Sequence, residues 1–141
     1  MHNISGVQQN ILTELDAGVA QPVIEQAVPT ATTVLRDSTG AIKPYFAVQF
    51  GDIQQGRSRS AVGPRGEDYV LPVYVQCIGP TAEIARGLQN KLLDVFLGVD
   101  FAYSGNVRKR PGGGMFVLNA SNEAVEAYAF PASFGVTVQF E

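Results

Sequence analysis

The chain has 141 residues, 45% of them hydrophobic, with 10 Lys and Arg against 13 Asp and Glu for a net charge of −3. That length suits one domain over 1–141 with a sizeable core, and that hydrophobic share excludes a disordered polymer. The charge balance excludes the strongly basic surface of sequence-independent DNA binding, no apolar run reaches the ~18 residues of a membrane span, and the lone Cys77 excludes an internal disulfide and suits a reducing compartment.

Ile4, Val7, Ile11, Leu12 and Leu15 recur at helical spacing and predict an amphipathic first helix, with Asn3 placed to cap its first turn. No basic stretch precedes an apolar core there, so no secretory leader is expected. The helix should fade between Gly18 and Pro22. Residues 23–33 are harder to read, but Val28-Pro29 and the β-branched Thr30, Thr32, Thr33 and Val34 suggest a loop leading into a strand. Asp37-Ser38-Thr39-Gly40 reads as a turn, because Asp can bond its own backbone and Gly supplies positive φ. Residues 45–50 alternate, with Phe46, Val48 and Phe50 on one face.

A polar arm follows over 51–68, with Gly51, Gly56, Gly63 and Gly66 set among Arg57, Arg59 and Arg65. It is too long for a simple connection in a compact domain, which points to a functional or partner-binding segment. The four glycines and the lack of apolar periodicity predict that it orders against a neighbour rather than by itself. Residues 69–78 alternate again, with Leu71, Val73, Val75 and Cys77 on one face. Pro72 cannot donate to a ladder, so that end of the strand must be an edge or a bulge.

After Gly79-Pro80, Ala85, Leu88, Leu92, Val95 and Phe96 form one stripe of a helix over 81–97, with Pro80 suited to its first turn and Gly98 to its end. Residues 104–114 read as a loop holding Arg108-Lys109-Arg110 and Pro111-Gly112-Gly113-Gly114. Three strands are expected beyond it, over 115–118, 125–130 (ended by Pro131) and 133–140. In the last, Phe134, Val136, Val138 and Phe140 face inward, which implies an antiparallel sheet with one covered face. Two helices are available to cover it. The fold class is α+β: an antiparallel or mixed sheet packed on one face by two helices, with a long inter-strand arm.

Catalytic chemistry is poorly provided for, and no enzyme is expected. The sole histidine, His2, sits at the chain end, where no base can be held in orientation. One His and one Cys do not make a transition-metal site, and no cofactor is expected. Cys77 lies on a predicted core face as an inert thiol. Asp52, Glu67 and Asp68 balance the arm's arginines better than they cage a hard cation. Pro111 to Gly114 lacks the Lys-Ser/Thr and helix of a phosphate loop and suits a flexible hairpin connection. Arg108-Lys109-Arg110 reads either as a solvated loop tip or as a contact with phosphate or an acidic partner.

The order of elements resembles that of the tail terminator proteins of long-tailed (siphovirus-type) bacteriophages, in particular those infecting actinobacteria. The resemblance is carried by Pro44-Tyr45-Phe46-Ala47-Val48-Gln49-Phe50-Gly51, the Arg/Gly-rich arm and Tyr69-Val70-Leu71-Pro72-Val73-Tyr74-Val75-Gln76. It continues through Ile78-Gly79-Pro80-Thr81-Ala82-Glu83-Ile84-Ala85-Arg86 to Leu97-Gly98. The opening helix and the strand from Phe134 to Phe140 also fit, so about two-thirds of the chain is covered, though not 20–35. The resemblance implies a virion protein assembled in the host cytoplasm as a homo-oligomer, a hexameric ring at the neck of the tail. The ring caps the finished tube, ends its polymerisation and receives the head–tail connector. DNA passes through the lumen without specific binding, and no membrane is involved. Arg57, Arg59, Arg65, Arg108, Lys109 and Arg110 are then the candidate subunit and partner contacts. The alternatives are a head–tail connector (neck) protein of the same phages, or a tail tube subunit, which would need a larger β-sandwich. A small hydrolase would need converging polar groups.

Overall fold

The computed structural model describes residues 4–26, 34–55, 68–98, 107–110, 113–118 and 127–139. Two helices pack on one face of a mixed sheet, which makes the fold α+β. The first helix, α1 (Ile4–Gly18), buries Val7, Ile11 and Leu15 completely. It has no acidic residue in its first turn and no basic residue in its last, so its charges do nothing for the helix dipole and packing holds it. The second, α2 (Ala82–Gly98), buries Ala85, Leu88, Leu92 and Phe96. Thr81 caps it, its Oγ1 accepting the Ile84 N–H at 3.2 Å. Pro80 therefore lies ahead of the cap rather than in the first turn, because the Thr81 hydroxyl satisfies a donor that proline could only omit. The Phe96 ring stacks on Phe134 with centroids 4.4 Å apart, tying this helix to the sheet.

The strands are β1 (Val23–Glu25), β2 (Tyr45–Phe50), β3 (Gln54–Gln55), β4 (Asp68–Gly79), β5 (Val107–Arg110), β6 (Phe116–Leu118) and β7 (Ala127–Gln139). Their order is β1-β2-β4-β7-β5, with β3 continuing the line of β2 along β4 and β6 continuing that of β5 along β7. β1 and β2 are parallel and every other pairing is antiparallel.

Four expectations about the strands and their connections change. β1, over residues left unassigned, is a strand of three residues whose partner is parallel and remote, so no local alternation announces it. Arg108-Lys109-Arg110 is not a loop tip: it belongs to β5, paired with β7. Pro111 to Gly114 is expected as a hairpin connection; Pro111 and Gly112 lie outside the described residues, but β5 and β6 on either side both pair with β7 in one line rather than with each other. Residues 111–115 stand between partners of Ser133 and Ala129, five residues opposite three. The two strands expected either side of Pro131 are one continuous strand, β7.

Both prolines of the central strands sit where the ladder can spare a donor. The Pro72 carbonyl accepts the Gly51 N–H at 2.9 Å, so the Pro72 backbone faces β2 and β3. There Gly51 to Ile53, three residues, span the gap opposite Leu71 and Pro72, which is a bulge. The Pro131 carbonyl accepts from Gln89 Nε2 at 3.3 Å and so faces away from β4, toward the interruption between β5 and β6. Pro72 and Pro131 thus share one ladder parity, in which odd-numbered residues of β4 and even-numbered residues of β7 bond each other.

The helix-covered core joins Val7, Ile11 and Leu15 with Phe46, Val48, Leu71, Val73, Val75, Cys77, Leu88, Leu92, Phe96, Ala132, Phe134 and Val136. The opposite face, expected to be open, is covered at one end by a second, smaller core of Val34, Ile42, Tyr45, Ala47, Ile78, Leu118, Ala127 and Ala129. The segment 34–44 supplies that cover by turning back on itself at Asp37-Ser38-Thr39-Gly40 as expected. Asp37 Oδ1 accepts from Thr39 N (2.9 Å), Thr39 Oγ1 (2.6 Å) and Ala41 N (3.1 Å), and Gly40 takes φ 86°. Those bonds hold the Asp37 carboxyl below its ordinary pKa, Thr39 contributing most.

Candidate functional site

Of the six basic residues singled out from the sequence, Arg57, Arg59 and Arg65 lie outside the described residues, as does most of the arm. Its base is sheet rather than arm, because Gln54 and Gln55 pair with Val70 and Tyr69. The structure brings Arg108, Lys109 and Arg110 together on β5, the edge strand next to β7. Alternation sends Arg110 to the face opposite the helices and Lys109 to the helical side, where it is exposed. Lys109 Nζ donates to the Arg110 carbonyl at 3.1 Å. A Cβ placed on Gly135 would fall 2.8 Å from Arg110 Nε, so this guanidinium lies across the glycine and is held by the sheet surface.

Beside it, Gln49, Tyr74, Ser133 and Arg110 form one cross-strand row on the face away from the helices. Tyr74 is 41% exposed, its ring leaning over Gly51. Tyrosine and arginine are among the residue types enriched in the anchors of protein contacts. Alternation in the sequence placed Tyr74 opposite the core, but not beside Arg110, which required the β4–β7–β5 order.

A second feature escaped the sequence reading. β1 and β5 are the two edges of the sheet, and they are oppositely charged. The first 35 residues contain Glu14, Asp16 and Glu25 and no Lys or Arg, whereas β5 has three consecutive bases. The signal was visible as a run without cations, but its meaning depends on β1 being an edge. At that edge a shallow cleft, where β1 stops short of the end of β2, is lined by Gln8, Glu25, Gln26, Val48, Gln49 and Phe50.

Reactive chemistry is not gathered anywhere among the described residues. Cys77 is fully buried, and burial pushes its thiol up to about 12, far from a usable thiolate. No three His, Cys, Asp or Glu side chains come together there as a metal site. No described helix is long and apolar enough to cross a membrane. The crevice between the helices, lined by Glu14, Ala17, Gly18, Lys91, Asp94 and Val95, is a shallow surface groove. No family model and no curated protein matches the chain.

Proposed function

We propose that the protein is a structural component of a phage virion that caps the completed tail tube as a ring, ends tube polymerisation and presents a surface to the neck of the capsid. The observation that carries this reading is the chain order α1, β2, arm, β4, α2 and closing strand β7, built on one sheet. A single sheet with helices on one face favours a terminator or connector over a tube subunit, which would need two packed sheets. The role calls for contact surfaces rather than catalysis, and the described residues offer Tyr74, Arg110 and Lys109 in that capacity.

Arg57, Arg59 and Arg65 belong to the same reading. Their planar guanidinium forks suit carboxylates of a neighbouring subunit or tube. Exposed pairs contribute ~0–1 kcal/mol each, so they act together around a repeated interface. DNA passes the lumen without sequence readout, consistent with a net charge of −3.

The test adds purified protein to polymerising tube subunits and follows tube length and tube ends by electron microscopy. Shortened tubes with rotationally symmetric density at one end are expected. Unchanged tube lengths with a strictly monomeric protein overturn the proposal, and binding to neck protein but not tube assigns the connector role instead.

A further inference from the structure

We infer that the ring is built by joining the β1 edge of one subunit to the β5 edge of the next, making one continuous sheet across each subunit boundary. The inference rests on the ring reading and adds which surfaces meet and how.

Hydrogen-bond parity sets what each edge offers. Phe46 N donates to Pro22 O and Gln26 N to Val48 O, so the backbone groups of Val23 and Glu25 point away from β2. Pro131 faces β5 and β6, so by alternation Ser133 and Gly135 do too, and their partners Arg110 and Arg108 bond inward. Val107 and Lys109 then point their N–H and C=O groups outward. Each edge offers two residues, spaced two apart, and no strand among the described residues pairs with either.

These offers match in direction, face and charge. β1 runs parallel to β2, β4 opposite to it, β7 with it and β5 opposite to it. A subunit added in the same orientation therefore sets its β1 antiparallel to the first subunit's β5, without inversion. With Val107 opposite Glu25 and Lys109 opposite Val23, four backbone hydrogen bonds form. Val107 packs partly against the helix-covered core, as Val23 does, so the helices stay on one side of the joined sheet. Glu25 and its amide-rich cleft lie on the helical side of the sheet, where Lys109 stands diagonally across the seam. Two β5 edges repel each other, as do two β1 edges, so the contact is head-to-tail, the kind that closes rings. That repulsion also keeps each edge from pairing with itself.

A subunit-mixing experiment tests this by native mass spectrometry and sedimentation, with circular dichroism confirming each fold. One variant carries Glu25→Lys and the other Arg108→Glu, Lys109→Glu and Arg110→Glu. Each alone has two edges of one sign and is expected to stay monomeric, while the mixture is expected to co-assemble with the two variants alternating. Lys109→Pro is the backbone test: it deletes an outward N–H without touching the β7 ladder and is expected to abolish assembly in a folded chain, whereas Lys109→Gln assembles. It also decides the matter where a charge variant fails to fold. Variants that assemble alone as the wild type does, together with assembly by Lys109→Pro, overturn the edge contact while leaving a ring built by other surfaces. A wild type that stays monomeric, alone and with tube subunits, removes the ring and this contact with it.

Discussion

Moving the proline of β7 by one residue should change stability far more than removing it. Pro131 faces the interruption between β5 and β6, so no ladder bond is missing there. Ala132 has the opposite parity: it pairs with Val75, is 1% exposed, and its N–H lies in the β4 ladder. Ala132→Pro deletes that donor and leaves the Val75 carbonyl buried without it, at a cost of ~1–3 kcal/mol. The extra ring carbons in a packed core add about 1–3 kcal/mol. The sum, roughly 2–6 kcal/mol, is a large part of the 5–15 kcal/mol typical of a domain. Pro131→Ala loses no ladder bond and should shift stability by only about 0.4–1 kcal/mol, through the entropy of the unfolded chain. Ala132→Val controls for bulk with the N–H intact. Urea unfolding followed by circular dichroism measures all three. If Pro131→Ala costs as much as Ala132→Pro, or Ala132→Pro no more than Ala132→Val, the ladder parity is wrong and the assignment of outward-facing edge groups falls with it.

Phe96→Ala empties the stack against Phe134 and should cost about 3–5 kcal/mol, read from the urea midpoint; a loss below ~1 kcal/mol would mean that the ring does not join helix to sheet. A Cβ on Gly18 would fall 2.9 Å from a Val95 methyl, so Gly18→Ala should destabilise the native protein in wild type but not in a Val95→Ala background, a double-mutant cycle that detects the close approach of the helices. The Cys77 thiol, raised from 9.0 to about 12, stays protonated in the native state while the unfolded thiol ionises. Its contribution is therefore fully present below about pH 9 and is lost as pH rises towards 12, by at most ~1.4 kcal/mol per pH unit. Cys77→Ala should flatten that loss when unfolding is compared at about pH 8 and about pH 10. Charge reversal of Arg57, Arg59 and Arg65 to Glu should leave a folded chain that no longer joins rings or tubes, checked by sedimentation; normal capping would show the arginines to be solvated.

Local pattern decided much of this protein. Helical spacing placed Val7, Ile11 and Leu15 on one buried stripe and Leu88, Leu92 and Phe96 on another. Alternation placed Leu71, Val73, Val75 and Cys77 on the covered face and Tyr74 off it. The Asp37 to Gly40 turn was legible because its bonds run between near neighbours in sequence. Tertiary pairing decided the rest. Val23–Glu25 is too short to carry a period, and it becomes a strand by lying parallel to β2. A proline ends a strand by local rules, yet Pro131 lies within β7 because its outer neighbour is interrupted opposite it. Arg108-Lys109-Arg110 carries no local sign of being a strand, since its alternation is all charge, and β7 makes it one. The opposition of an acidic edge and a basic one depends on strand order, which is set by which hydrophobic faces find each other across the whole chain and not by any window of it.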